Sequence, residues 1–143
     1  MIIKTGSKDE LNFFLSSIVK NYINYQDIGL RQPEHKAEAI KAFSEWIRLQ
    51  SQQDGFEMIY MNDGETDEIL SYVAMNRKLK VIYFAYTKSA YRKNKLAIRL
   101  CDSLPITGFF FPLIFHPLAT ISFQRRYKLS YKPELLHDTS KSN

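Results

Sequence analysis

The sequence has little cysteine, histidine, tryptophan, glycine or proline. Its one cysteine, Cys101, excludes an internal disulfide framework, and no Cys/His grouping has the spacing of a structural zinc site. Five glycines and five prolines in 143 residues form no linker, and no repeat or low-complexity stretch interrupts the chain. The opening Met1-Ile2-Ile3-Lys4 lacks the apolar run of a signal peptide. The longest apolar stretch, Phe109 to Phe115, is too short to span a bilayer. A cytoplasmic protein with no membrane partner is therefore expected.

What is present fits one domain, expected over residues 1–136, with a polar tail at 137–143. Hydrophobic residues make up 45% and charged residues 24%, which is enough to build a core. Aromatic residues reach 14%, so that core is expected to be rich in rings. The net charge of +5 hides a polarity. Residues 1–76 carry seven Lys/Arg against twelve Asp/Glu, whereas residues 77–143 carry thirteen against three. A basic second half predicts an anionic partner: nucleotide phosphates, nucleic acid or an acidic protein.

Patterning divides the chain into alternating elements. Ile2 to Thr5 reads as a strand stopped by Gly6. Ser7 and Glu10 form a capping box for a helix with Leu11, Phe14, Leu15, Ile18 and Tyr22 on one face. Gly29 ends that region, and Pro33 opens a second helix running to about Gln52, with Ile40, Phe43, Trp46 and Ile47 as its apolar stripe. Three strands follow, Phe56–Met61, Ile69–Asn76 and Val81–Thr87, joined by turn residues. A basic segment, Lys88 to Lys95, leads to a helix carrying Leu96, Leu100 and Leu104. Next come a strand over Phe109–Phe115, irregular at Pro112, a helix over Leu118–Tyr127 and a last strand over Ser130–Leu135. This order predicts an α+β fold, a mixed and mainly antiparallel sheet with helices on both faces.

The segment from Ala85 to Leu100 is a strand, a basic loop and an amphipathic helix. Amides at a helix start lack intrahelical acceptors and attract phosphate, and Lys88, Arg92, Lys93, Lys95 and Arg99 deepen that attraction. In the frame Arg92-Lys93-Asn94-Lys95-Leu96-Ala97, preceded by Tyr91, the segment resembles the acyl-CoA loop of the GNAT superfamily of N-acetyltransferases. There an Arg or Gln is followed by two variable residues, a Gly, one more variable residue and a Gly or Ala. Arg92, Ala97 and the helix match, and Lys95 stands at the central Gly. The order of elements and the ending Tyr127-Lys128-Leu129-Ser130-Tyr131 are also similar to that family.

The resemblance implies that Arg92, Lys93, Asn94, Lys95, Leu96 and Ala97 cradle the pyrophosphate of acetyl-CoA or another acyl-CoA. It implies that Ala85, Tyr86 and Thr87 pair with the pantetheine arm and orient the thioester for an amine-bearing acceptor. A lysine at the glycine position either meets a phosphate as a point charge or fills the site. The family's late-helix tyrosine, a general acid, falls at Arg126 counting back from the ending, with Tyr127 one residue on; anchored on Ala119 it falls at Phe123. Tyr127 is the candidate acid. The strands Ile69–Asn76 and Val81–Thr87 contain no carboxylate to act as base, which leaves His116, suited to proton transfer near neutrality, and Glu57 on the preceding strand.

Cys101 reads as a packed thiol, Phe109-Phe110-Phe111 as core and Phe43 with Trp46 as helix packing. The leading expectation is thus acyl transfer from acyl-CoA to an amine. The alternatives are a non-catalytic GNAT-like module binding nucleic acid or an acidic protein, and an accessory or assembly protein of the kind phages encode.

Overall fold

Serine and glutamate start the first helix as the capping pattern predicts. The Ser7 amide donates to Glu10 Oε1 at 3.0 Å, and the Ser7 hydroxyl donates to the same oxygen at 3.2 Å. The other Glu10 oxygen accepts from the Tyr60 hydroxyl at 3.1 Å, tying the helix start to the sheet. These bonds, the Ser7 amide foremost, hold the Glu10 carboxyl below its usual pKa.

The computed structural model describes residues 2–26, 33–88, 91, 95–112 and 121–137. In chain order the elements are β1 (Ile2–Thr5), α1 (Lys8–Gln26), α2 (Pro33–Ser51), β2 (Phe56–Asn62), β3 (Ile69–Asn76), β4 (Val81–Thr87), α3 (Leu96–Asp102), β5 (Phe110–Phe111), α4 (Ile121–Tyr127) and β6 (Ser130–Tyr131). A turn of 3₁₀ helix covers Pro133–His137. The six strands form one sheet in sequence order. β1 to β4 are antiparallel neighbours, and β5 and β6 add on in parallel. The fold is α+β.

Helices cover both faces. On one side Phe14 and Ile18 of α1 and Phe43, Trp46 and Ile47 of α2 pack on Met58, Tyr60, Tyr72, Ala74 and Tyr83. On the other, Leu96, Leu100 and Cys101 of α3 and Tyr127 of α4 pack on Ile59, Met61, Val73, Met75 and Ile82. Alternate residues of β2 and β3 thus serve opposite layers. The Phe43 and Trp46 rings lie 5.7 Å apart, one helical turn of packing. Cys101 is buried in the second layer, which pushes its thiol pKa up to about 12 and makes it inert.

Two late strands are interrupted at prolines. Of the expected strand over Phe109–Phe115, the described residues pair at Phe110 and Phe111, and Pro112, which cannot donate to a ladder, follows in a bend. Residues 113–115 lie outside the described residues. The expected strand over Ser130–Leu135 ends at Tyr131, and Pro133, with its fixed φ and missing N–H, begins the 3₁₀ turn. Leu104 sits beyond α3, in the turn where the Leu104 amide donates to the Cys101 carbonyl at 3.0 Å. Among the described residues no helix is long and apolar enough to cross a membrane.

Candidate functional site

The end of β4 is set by a bulge. Ala74 lies opposite Phe84 but Met75 lies opposite Ile82, so Tyr83 is an extra residue in the strand. The inserted residue shifts the alternation. Val81, Tyr83, Phe84 and Tyr86 all face α1 and α2, while Ile82 and Ala85 face α3.

Hydrogen-bond phase then fixes which backbone groups point outward. Lys88 donates its amide to the Leu70 carbonyl at 2.9 Å. With Leu70 and Lys88 a bonded pair, Ser71–Thr87 and Val73–Ala85 are the alternate, non-bonded pairs of the ladder. The N–H and C=O groups of Ala85 and Thr87 therefore turn away from β3, toward the side where β5 lies. β5 meets β4 at a single paired position, Val81 opposite Phe110, with the Phe110 amide donating to the Lys80 carbonyl at 2.8 Å. No strand pairing beyond that point joins β4 to β5 among the described residues.

The strand end is fixed from the β3 side by hydroxyls. Ser71 donates to the Tyr86 carbonyl at 3.0 Å, and its oxygen lies 2.9 Å from the Thr87 hydroxyl. After β4, Lys88 forms an ion pair with Glu68, which raises the lysine's pKa. The Tyr91 amide donates to the Lys88 carbonyl at 2.8 Å, and the Tyr91 ring leans on the α3 layer.

Lys95 precedes α3 in the left-handed conformation, φ 55° and ψ 31°. That is the backbone region glycine enters freely, occupied here by a lysine. Its carbonyl accepts the first helical bond, from Arg99 at 3.1 Å, and its side chain is exposed. The amides of Leu96, Ala97 and Ile98 in the first turn therefore have no intrahelical acceptor. Leu96 is buried in the core and Ala97 half-buried. Arg92, Lys93, Asn94 and His116 lie outside the described residues.

Tyr127 is buried at the end of α4 and reaches across to α3. Its hydroxyl donates to Asp102 Oδ1 at 2.8 Å, with the Ile98 carbonyl at 3.3 Å. Arg126 donates to both oxygens of the same carboxylate, at 3.1 and 2.7 Å. Burial first, then the Asp102 bond, raises the phenol's pKa above its usual value. The arginine bonds, joined by that of Tyr127, hold Asp102 below its usual value. Beside this cluster a cavity of about 190 Å³ opens between α3 and α4, lined by Ile98, Ser122, Phe123 and Arg126. Glu57, the strand carboxylate, is bound by Arg77 at 2.7 and 3.3 Å.

The structure thus brings Ala85, Tyr86 and Thr87 to one end of the sheet and gives Lys95 a glycine-like backbone ahead of Leu96 and Ala97. It engages Tyr127 in a hydrogen bond to Asp102 and Glu57 in an ion pair with Arg77. A search for carboxylates within the strands overlooks Asp67 and Glu68, which stand just before β3; their position ahead of Ile69 was the available signal. Among the described residues no group of three His, Cys, Asp or Glu side chains could hold a metal ion. No family model matches this chain, and no curated protein matches it.

Proposed function

We propose that this protein is an acyl-CoA-dependent N-acyltransferase of GNAT-like fold, working in the cytoplasm on an amine. One observation carries the reading: beyond Val81, the outer edge of β4 has no described strand partner, while Ala85 turns its amide and carbonyl to that side. An extended arm with its own amides would add to such an edge as a further strand does. The backbone around Lys95 supports the same fit, since it takes the left-handed turn that lets a chain pass close to a diphosphate.

When bound, an acyl-CoA supplies an activated thioester, whose acyl carbon goes to the acceptor nitrogen as the C–S bond breaks and the nitrogen's proton passes to the sulfur. The chain's own work is positioning. The backbone of Ala85 and Thr87 aligns the arm, and Lys95, with Arg92 and Lys93 of the loop, supplies positive charge for the phosphates. In this reading Tyr127 fastens α4 to α3 by donating a hydrogen bond to Asp102.

Acetyl-CoA binding by calorimetry tests the reading. Saturable heat and a rise in melting temperature are expected; neither at millimolar cofactor refutes it. Lys95→Glu is expected to weaken binding by about tenfold through the reversed charge. Lys95→Gly, which keeps the backbone, is expected to stay within about threefold. The alternative, a basic surface for nucleic acid or an acidic protein, has less support. Arg77, Lys78, Lys88 and Arg126 of the basic half are already ion-paired to acids of the chain.

A further inference from the structure

A cavity of about 350 Å³ opens between α1 and the adjoining ends of β3 and β4, on the face opposite α3. That volume lies near the low end for ligand sites and suits a small molecule better than a folded partner. We infer that this cavity binds a small organic amine with an apolar, ring-sized body, taken up as its ammonium.

The walls argue for the apolar body. Tyr72 and Tyr86 stand side by side with centroids 5.6 Å apart, tilted by 37°. Phe13 completes the lining while 62% exposed, although its neighbour Phe14 is fully buried. An occupant beside these rings removes apolar surface from water, and an ammonium is drawn to aromatic rings.

The charges argue for the ammonium. Two carboxylates, Asp67 and Glu68, and one cation, Lys88, line the cavity. Lys88 is ion-paired to Glu68, so the pair is neutral. Asp67 is exposed and forms no ion pair with another described residue, which leaves the described lining with a net negative charge of one. Deeper in, Ser17 Oγ lies 3.0 Å from the Tyr72 hydroxyl, and Asn21 donates to both oxygens at 3.2 and 3.4 Å. These uncharged groups offer a carboxylate or phosphate no cation of their own. An anionic ligand would face Asp67 with only a lysine already engaged.

Position links the cavity to the strand edge. Tyr86 projects into it from between Ala85 and Thr87, so a bound amine lies across the end of β4 from the groups that align the acyl arm. The amine's role as acceptor rests on the acyltransferase reading above; its binding does not.

The test is a titration of the full-length, isotopically labelled protein with phenethylamine, without any coenzyme, followed by amide chemical shifts. Saturable shifts are expected around Ser17, Tyr72 and Tyr86. Uncharged 2-phenylethanol and anionic phenylacetate are expected to bind at least about tenfold more weakly. Asp67→Asn, at an exposed position, is expected to keep the melting temperature and lose about tenfold in amine affinity. Equal binding of the alcohol, an unchanged affinity in Asp67→Asn, or shifts that fall elsewhere overturn the inference. Acetyl-CoA binding without amine binding refutes this site and spares the acyltransferase reading. Amine binding without acetyl-CoA binding supports the site and removes its role as acceptor.

Discussion

β2 faces β3 through seven paired positions and β3 faces β4 through six, whereas β4 meets β5 at one and β5 meets β6 at two. The two ends of one sheet are thus held by different means. The antiparallel meander is knit by its ladders and by short turns. The parallel end has a few backbone bonds, among them Ser130 to the Phe109 carbonyl and Lys132 to the Phe111 carbonyl, and leans more on side chains: Phe111 and Leu129 in the core, and Tyr127 bonded to Asp102. β4 belongs to both. It is fixed along its β3 edge, and among the described residues it pairs with β5 at one position along the other.

Five changes probe that contrast. The largest effect is expected in the meander. Phe84→Ala removes a fully buried ring from β4 and costs about 3–5 kcal/mol in urea unfolding. A loss under about 1 kcal/mol would mean that β4 is not anchored as described.

Next is the knot at the meander's turn. Asn76, fully buried, donates to the Asp54 carbonyl at 3.1 Å and accepts the Leu79 amide at 2.9 Å. Asn76→Ala leaves both without a partner, at about 1–3 kcal/mol. Gly55 adjoins this knot at φ +95°, where an added Cβ would lie 2.6 Å from Asn76 Oδ1, so Gly55→Ala is expected to be comparably damaging.

A smaller loss, about 1 kcal/mol, is expected at the parallel end for Tyr127→Phe, which deletes the bond to Asp102. Turnover of the variant is expected to change less than about tenfold, the result for a fastening residue; a loss near a thousandfold would make it the proton donor.

The smallest effect carries a pH signature. Glu10→Gln weakens the α1 cap by about 0.5 kcal/mol at neutral pH. Because the folded carboxyl titrates below its ordinary value, the stability it adds is present above the unfolded pKa and is lost as pH falls through the folded one. Wild type and variant are therefore expected to converge in urea unfolding at acidic pH. A difference that persists there would contradict the cap.

The same contrast explains what the sequence reveals. Ile69–Asn76 and Val81–Thr87 are legible to the residue because β-branched and aromatic runs end at turn formers. Antiparallel neighbours joined by short turns leave little to long-range context. At the parallel end the pattern overstates the last strand, since Pro133 outweighs the hydrophobicity around it. The bulge at Tyr83 has no local mark, so the shift that turns Tyr86 toward α1 is not visible in the pattern. Lys95 discloses that a glycine is absent; that it nevertheless adopts φ 55° emerges only from the structure. Likewise, helical spacing sends Phe14 inward and Phe13 outward, but only the packing of α1 against the sheet brings Phe13 beside Tyr86 and Asp67.

The most direct test of the central claim is amide hydrogen exchange of the full chain with and without CoA, resolved along β4 and α3. Slowed exchange at Ala85, Thr87 and the Leu96–Ile98 turn, with β2 unchanged, is the result this account predicts. Identical exchange at those positions under millimolar CoA would contradict it.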